Sequence, residues 1–265
     1  SEVDAIVAAV VARHDAELLP WLDGPPQTNE AGRAASIMAG LLWLAQRVRI
    51  PRFDLFELGA SAGVNTMLDR YFFRLGETEV GPENSPMRIV PEWRGASPPA
   101  LPPGFAITSV KGCDIAPIDL ADPEAALRLK AYVWPDAAER LARIDAAIAL
   151  AGQQPPDLVA ADAGDFAAEM LARAREPGTA RVMFHSIMWQ YMPAATQARI
   201  TAAFETEGAA ATPDRPLGWI ALETDPATFR HELRVRLWDG AGHRGEEHLL
   251  SHAHPHGAWV EWLAG

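Results

Sequence analysis

Residues 53 to 71 constrain the fold more than any other stretch. Phe53-Asp54-Leu55-Phe56-Glu57-Leu58 is a short apolar run ending in glycine, which reads as a strand. Gly59-Ala60-Ser61-Ala62-Gly63 follows, and then Val64, Met67, Leu68 and Tyr71 recur at helical spacing. A strand, a glycine turn and a helix in that order form the opening unit of a parallel α/β sheet. In such sheets ligands lie beyond the carboxyl ends of the strands.

The rest of the chain repeats the alternation. Strands are expected at 107–113, 157–161, 181–187 and 217–223. Helices are expected after Asp122-Pro123, from Asp136 to Gly152, over 166–174 and over 193–207. Leu233, Val235 and Leu237 alternate with Arg234 and Arg236, and short apolar runs follow at 248–251 and 259–262. With no long helix between them, these last strands predict an antiparallel edge. Before the first strand, two helices are expected, at 3–19 and 30–49, with Pro20, Gly24, Pro25 and Pro26 between them and Asn29 capping the second. The predicted organisation is an N-terminal helical segment (1–50) packed on a Rossmann-like α/β domain (51–265). Residues 74–105, rich in Pro and Gly, are expected to form an irregular insertion or a hairpin excursion.

The loop admits two chemistries. As a nucleotide-type turn, Gly59 and Gly63 let the backbone approach a ligand beside a helix N-terminus. Glu57, two residues before the first glycine, suits S-adenosylmethionine rather than a pyrophosphate, which a carboxylate repels. As a nucleophile elbow, Gly59-x-Ser61-x-Gly63 would use Ser61, with Asp225 and one of His252, His254 or His256 completing the triad. The elbow needs earlier strands to supply an oxyanion loop, and only two helices precede this one, so the cofactor reading is preferred. The glycines could also serve only a tight turn. Strand ends add candidates: Asp114 for ribose hydroxyls, Asp162 near the adenine, and His185 as general base beside Ser186 and Trp189. Asp114 and Asp162 also suit helix capping. His252, His254 and His256 alternate as metal ligands do, but Pro255 interrupts them, so substrate contact is preferred and no metal is expected.

The chain has 23 basic and 35 acidic residues, a net charge of −12, which makes it a poor binder of nucleic acid or anionic membranes. No apolar run is long enough for a membrane span. One cysteine, Cys113, excludes an internal disulfide and suits the cytoplasm.

Gln27-Thr28-Asn29-Glu30, Glu57 to Asn65, Gly112-Cys113-Asp114, Tyr132-Val133-Trp134-Pro135, Phe184-His185-Ser186 with Trp189-Gln190-Tyr191, and His252-Ala253-His254-Pro255-His256-Gly257 resemble a bacterial family of uncharacterised proteins, domain-of-unknown-function family 2332. The resemblance spans nearly the whole chain. It implies further helical sequence before Gln27 and implies no activity. The arrangement is also similar to class I methyltransferases, with Ser61 in place of their middle glycine. The expectation is a methyltransferase-like protein that binds S-adenosylmethionine through Glu57, Gly59, Ser61, Gly63, Asp114 and Asp162. His185 would be the base, and Asn29, Glu30, Trp189, His254 and His256 would line the pocket of a small-molecule substrate. An α/β-hydrolase-like enzyme using Ser61 and a non-catalytic binding protein are the alternatives.

Overall fold

The computed structural model describes residues 1–22, 28–48 and 50–264. The first expected strand forms as β1 (Arg52–Leu58), and its side chains explain its central place. Phe53 and Leu55 enter one apolar cluster, while Phe56 and Leu58 enter another on the opposite face. A strand with apolar groups on both faces belongs inside a covered parallel sheet. Period two puts Glu57 on the Phe53 face.

In chain order the helices are α1 (Glu2–Leu18), α2 (Ala34–Val48), α3 (Pro123–Ala131), α4 (Ala138–Gln153), α5 (Ala163–Ala172) and α6 (Ala194–Ala209). The strands after β1 are β2 (Phe72–Leu75), β3 (Thr78–Val80), β4 (Arg88–Ile89), β5 (Glu92–Arg94), β6 (Ala106–Asp114), β7 (Leu158–Ala160), β8 (Ala180–Ser186), β9 (Leu217–Thr224), β10 (His231–Trp238), β11 (Arg244–Ala253) and β12 (Trp259–Trp262). The chain is α/β with a large, mostly parallel central sheet in the order β5-β12-β11-β10-β9-β8-β1-β6-β7. The run β7-β6-β1-β8-β9 is parallel throughout. The order reverses between β1 and β8, which places a topological switch point at the carboxyl end of β1. The antiparallel edge expected from the sequence is present as the meander β9 to β12. Part of the 74–105 excursion pairs with itself as β2–β3–β4, and β5 returns to the main sheet beside β12.

Three local expectations are corrected. The segment after the glycine loop is a 3₁₀ helix, Asn65–Arg70, which leads directly into β2. Six residues at that pitch offer little aligned backbone dipole. Asn29 does not cap the second helix. Glu30 caps a 3₁₀ turn, Ala31–Arg33, that precedes α2. α1 does not pack on the sheet: none of its residues is buried, and Val3, Ile6, Val7, Val10 and Val11 are exposed. α2 is buried on nearly every side and packs on β9, β10 and β11. Gly24, Pro25, Pro26 and Gln27 lie outside the described residues.

Candidate functional site

The glycine loop ends β1 at the switch point. Gly59 (φ 65°), Ser61 (φ 54°) and Gly63 (φ 70°) all adopt left-handed backbone, so the chain turns sharply and repeatedly here. A Cβ on Gly59 would lie 2.8 Å from Met188, and one on Gly63 would lie 2.7 Å from Thr66 Oγ1. Both glycines are therefore required by close packing as well as by φ.

Every loop amide from 60 to 64 is already engaged. Ala60 N–H donates to Cys113 O (2.8 Å), and Gly63 N–H donates to Ala60 O (2.8 Å). Ser61 N–H donates to Asp114 Oδ2 at 2.9 Å. The N–H groups of Ala62 and Val64 both donate to Asn29 Oδ1, at 3.2 and 3.1 Å. Asn29 Nδ2 donates to Ala60 O at 3.2 Å. Asn29 thus fills the curve of the loop and satisfies three of its backbone groups.

Glu57 lies directly beneath. It is fully buried, and among the described residues its Oε2 has no hydrogen-bond partner. Burial raises its pKa well above the ordinary carboxyl value. The Arg33 charge and an Asn65 hydrogen bond oppose that rise, and the nearby Asp114 adds to it. A buried carboxyl with an orphaned oxygen costs stability. Asp114 Oδ1 also accepts from Ala116 N–H at 3.0 Å. Asp162 caps α5 through the amides of Gly164 and Asp165, and pairs with Arg199. The adjoining Cys113 thiol is pushed up to about 12, mainly by burial, so it is no nucleophile at neutral pH.

His185, near the end of β8, is buried and bonded at both ring nitrogens. Trp219 Nε1 donates to its Nε2 at 2.9 Å. An indole N–H can only donate, so Nε2 carries no proton. The proton sits on Nδ1, which donates to Glu223 Oε1 at 2.6 Å. That oxygen also accepts the amides of Met188 (3.1 Å) and Trp189 (3.3 Å). The Trp189 ring stacks on the imidazole at 4.9 Å, 18° from parallel. Between them Ile187 is held at φ 50°, a conformation that a β-branched residue avoids unless its surroundings enforce it.

Two sequence motifs more than 200 residues apart meet here. Glu30 accepts from Arg140 Nε (2.7 Å), Arg143 Nε (2.8 Å) and Gly32 N–H (3.0 Å). Burial is the largest single effect and raises its pKa, but these partners together outweigh it and hold the pKa below the ordinary value. Gly32 packs on Gly257: a Cβ on Gly257 would fall 2.4 Å from Gly32 Cα. Arg33 donates to Pro255 O (2.9 Å) and to Ser186 O (3.3 Å). His254 and His256 sit in this turn, not on a shared strand face, since β11 ends at Ala253. His254 Nδ1 accepts from His256 N–H. The His256 pKa falls to about 4, first through burial and then through the Arg140 charge.

The structure therefore brings Asn29, Glu57, Gly59, Ser61, Gly63 and Asp114 together. Arg140 and Arg143 both bond Glu30, Arg143 ties it to the turn holding His256, and Arg33 bonds that turn at Pro255. His185 with Trp189 joins through the end of β8. Asp162 stands one strand further out. Arg33, Glu223 and Trp219 were missed in the sequence, because nothing in their spacing marks a buried cation, a carboxylate or an indole as partners of this edge. Among the described residues, no three His, Cys, Asp or Glu side chains gather as they would for a metal ion. No helix of the described residues is long and apolar enough to cross a membrane.

The model of the family described as "Uncharacterized protein conserved in bacteria (DUF2332)" matches residues 1–262, and the chain belongs to that family. No curated protein matches it.

Proposed function

From membership in a family whose description names no activity, we propose that the carboxyl edge around the glycine loop binds S-adenosylmethionine and that the chain is a small-molecule methyltransferase. One observation carries the reading. At the switch point, Glu57, Asp114 and Asp162 lie at or near the carboxyl ends of three neighbouring parallel strands, β1, β6 and β7, around a glycine turn.

The residues fit the group on its cationic side. An ammonium, a sulfonium and ribose hydroxyls all call for acceptors. Among the described residues Glu57 Oε2 has no partner, and Asp114 keeps lone pairs beyond its two backbone bonds. The bound group would supply an electrophilic methyl carbon for in-line displacement, where positioning provides most of the acceleration. Glu223 holds the His185 Nδ1 proton, which leaves Nε2 as the basic atom. Nε2 is occupied by the buried Trp219 indole, which a substrate hydroxyl or amine would have to displace to reach it. The Arg33 charge is felt by both Glu57 and Glu223.

Calorimetric titration with S-adenosylmethionine and S-adenosylhomocysteine tests this. Saturable binding that Asp114→Ala abolishes supports it, and absence of heat at millimolar ligand overturns it. A second reading rests on Ser61. Its φ of 54° suits a strained nucleophile on a strand-to-helix turn. Covalent labelling by a fluorophosphonate, lost in Ser61→Ala, would favour the hydrolase.

A further inference from the structure

A cavity lies on the same edge of the sheet, over the antiparallel meander. Its volume is about 330 Å³, and Phe229, Arg230, His231, His252, Trp259 and Glu261 line it. This is the scale of a single-ring ligand.

The loop joining β9 to β10 forms one wall and is internally ordered. Asp225 Oδ1 accepts the amides of Ala227 and Thr228, at 3.0 and 2.8 Å. Phe229 N–H donates to Asp225 O, and Asp225 N–H donates to Arg230 O, both at 2.8 Å. This order fixes Phe229 at φ 56° with 79% of its surface exposed. A bulky side chain in left-handed backbone, with its ring in water at a cavity mouth, contributes nothing to the core.

Arg230 stands beside it. Among the described residues it has no carboxylate partner; its Nη1 lies 3.3 Å from His252 Nδ1. Glu261 Oε2 lies 3.4 Å from that same Nδ1, and Glu232 Oε1 lies 3.6 Å from His252 Nε2. The two contacts on Nδ1 conflict. Arg230 needs a lone pair there, whereas Glu261 needs an N–H. An anion accepting from Arg230 removes the conflict, because Nδ1 can then donate to Glu261. His231 turns Nδ1 to Thr224 Oγ1 at 2.9 Å, and its Nε2 has no partner among the described residues.

We propose that this cavity is a binding site for a small aromatic carboxylate. Its carboxylate pairs with Arg230 and its ring packs on Phe229. The cavity is a site of its own, whether or not the glycine loop takes a cofactor. Arg33, bonded to Pro255 O in the cavity wall and to Ser186 O at the end of β8, links the two regions.

The test is fluorine NMR on the full chain without cofactor, using 4-fluorobenzoate, 4-fluorophenol and 4-fluorobenzylammonium as probes. The expected result is broadening of 4-fluorobenzoate that unlabelled benzoate reverses, with weaker effects on the other two. Arg230→Gln should weaken 4-fluorobenzoate by about tenfold or more, the scale of a lost charge-assisted bond. Phe229→Gly keeps the positive φ and should weaken it several-fold. Both residues are exposed, and thermal melts matching the wild type would show intact folding. No broadening, equal binding of 4-fluorobenzylammonium, or undiminished binding by a folded Arg230→Gln chain would overturn the proposal.

Discussion

Replacing Asn29 with alanine should cost the protein about 4 kcal/mol, built from three lost hydrogen bonds at about 1 kcal/mol each and about 1 kcal/mol of backbone strain. The bonds are those to Ala60 O, Ala62 N–H and Val64 N–H. The strain arises because Asn29 sits at φ 22°, on the left-handed side of the backbone map, which asparagine tolerates better than alanine. Asn29 is 8% exposed, so water replaces its side chain poorly. Against a total stability on the order of 5–15 kcal/mol, such a loss is large, and it should lower Tm by roughly 10 °C. Equilibrium urea unfolding at neutral pH measures it, provided m is unchanged. Asn29→Asp keeps an acceptor for both amides but sets a buried carboxylate oxygen against Ala60 O, so it too should be less stable than wild type. An Asn29→Ala chain within about 1 kcal/mol of wild type, less than the three bonds predict, would refute the claim that this side chain holds the loop closed.

Glu57→Gln should stabilise the chain near neutral pH. The folded pKa of Glu57 lies above its unfolded value, so ionisation opposes folding. The cost is absent below the unfolded pKa and grows as pH rises through the folded one. Denaturant melts should show the gap to Glu57→Gln widening with pH, and a narrowing gap would contradict the assignment. Glu30→Ala strands Arg140 and Arg143 and should cost about 3–5 kcal/mol. Because the Glu30 pKa is lowered, its stabilisation holds above the unfolded value and is lost as pH falls through the folded one. For His185, nitrogen-15 NMR should find the neutral ring with its proton on Nδ1, and a proton on Nε2 would remove the Trp219 bond from the account.

The sheet was legible because apolar runs, glycine turns and capping pairs such as Asp122-Pro123 are local signals. The short 3₁₀ helix was not. Val64, Met67, Leu68 and Tyr71 are spaced as well for one tight turn entering β2 as for an α-helix. Asn29 looked like a helix cap because polar residues before an apolar helix usually are. Here a loop 31 residues away outcompetes the helix for its side chain. Glu57 and Asp114 were found at strand ends, where the alternation placed them. Arg33, whose charge acts on Glu57, could not be found, since its burial depends on contacts with Ser186 and Pro255 that only the fold creates. The exposed stripe of α1 shows the same limit: amphipathic spacing announces a helix but not what covers it.

The proposed ligand site lies at the glycine loop. Backbone amide NMR, recorded with and without S-adenosylhomocysteine, tests it most directly. Under this proposal the largest shift changes fall over residues 57–66, with further changes near Asp114 and Asp162. It would be contradicted by unchanged spectra at millimolar ligand. It would equally be contradicted by changes confined to the opposite edge of the sheet, where a cleft of about 420 Å³ lined by Asp54, Lys111, Asp157 and Arg181 offers another place to bind.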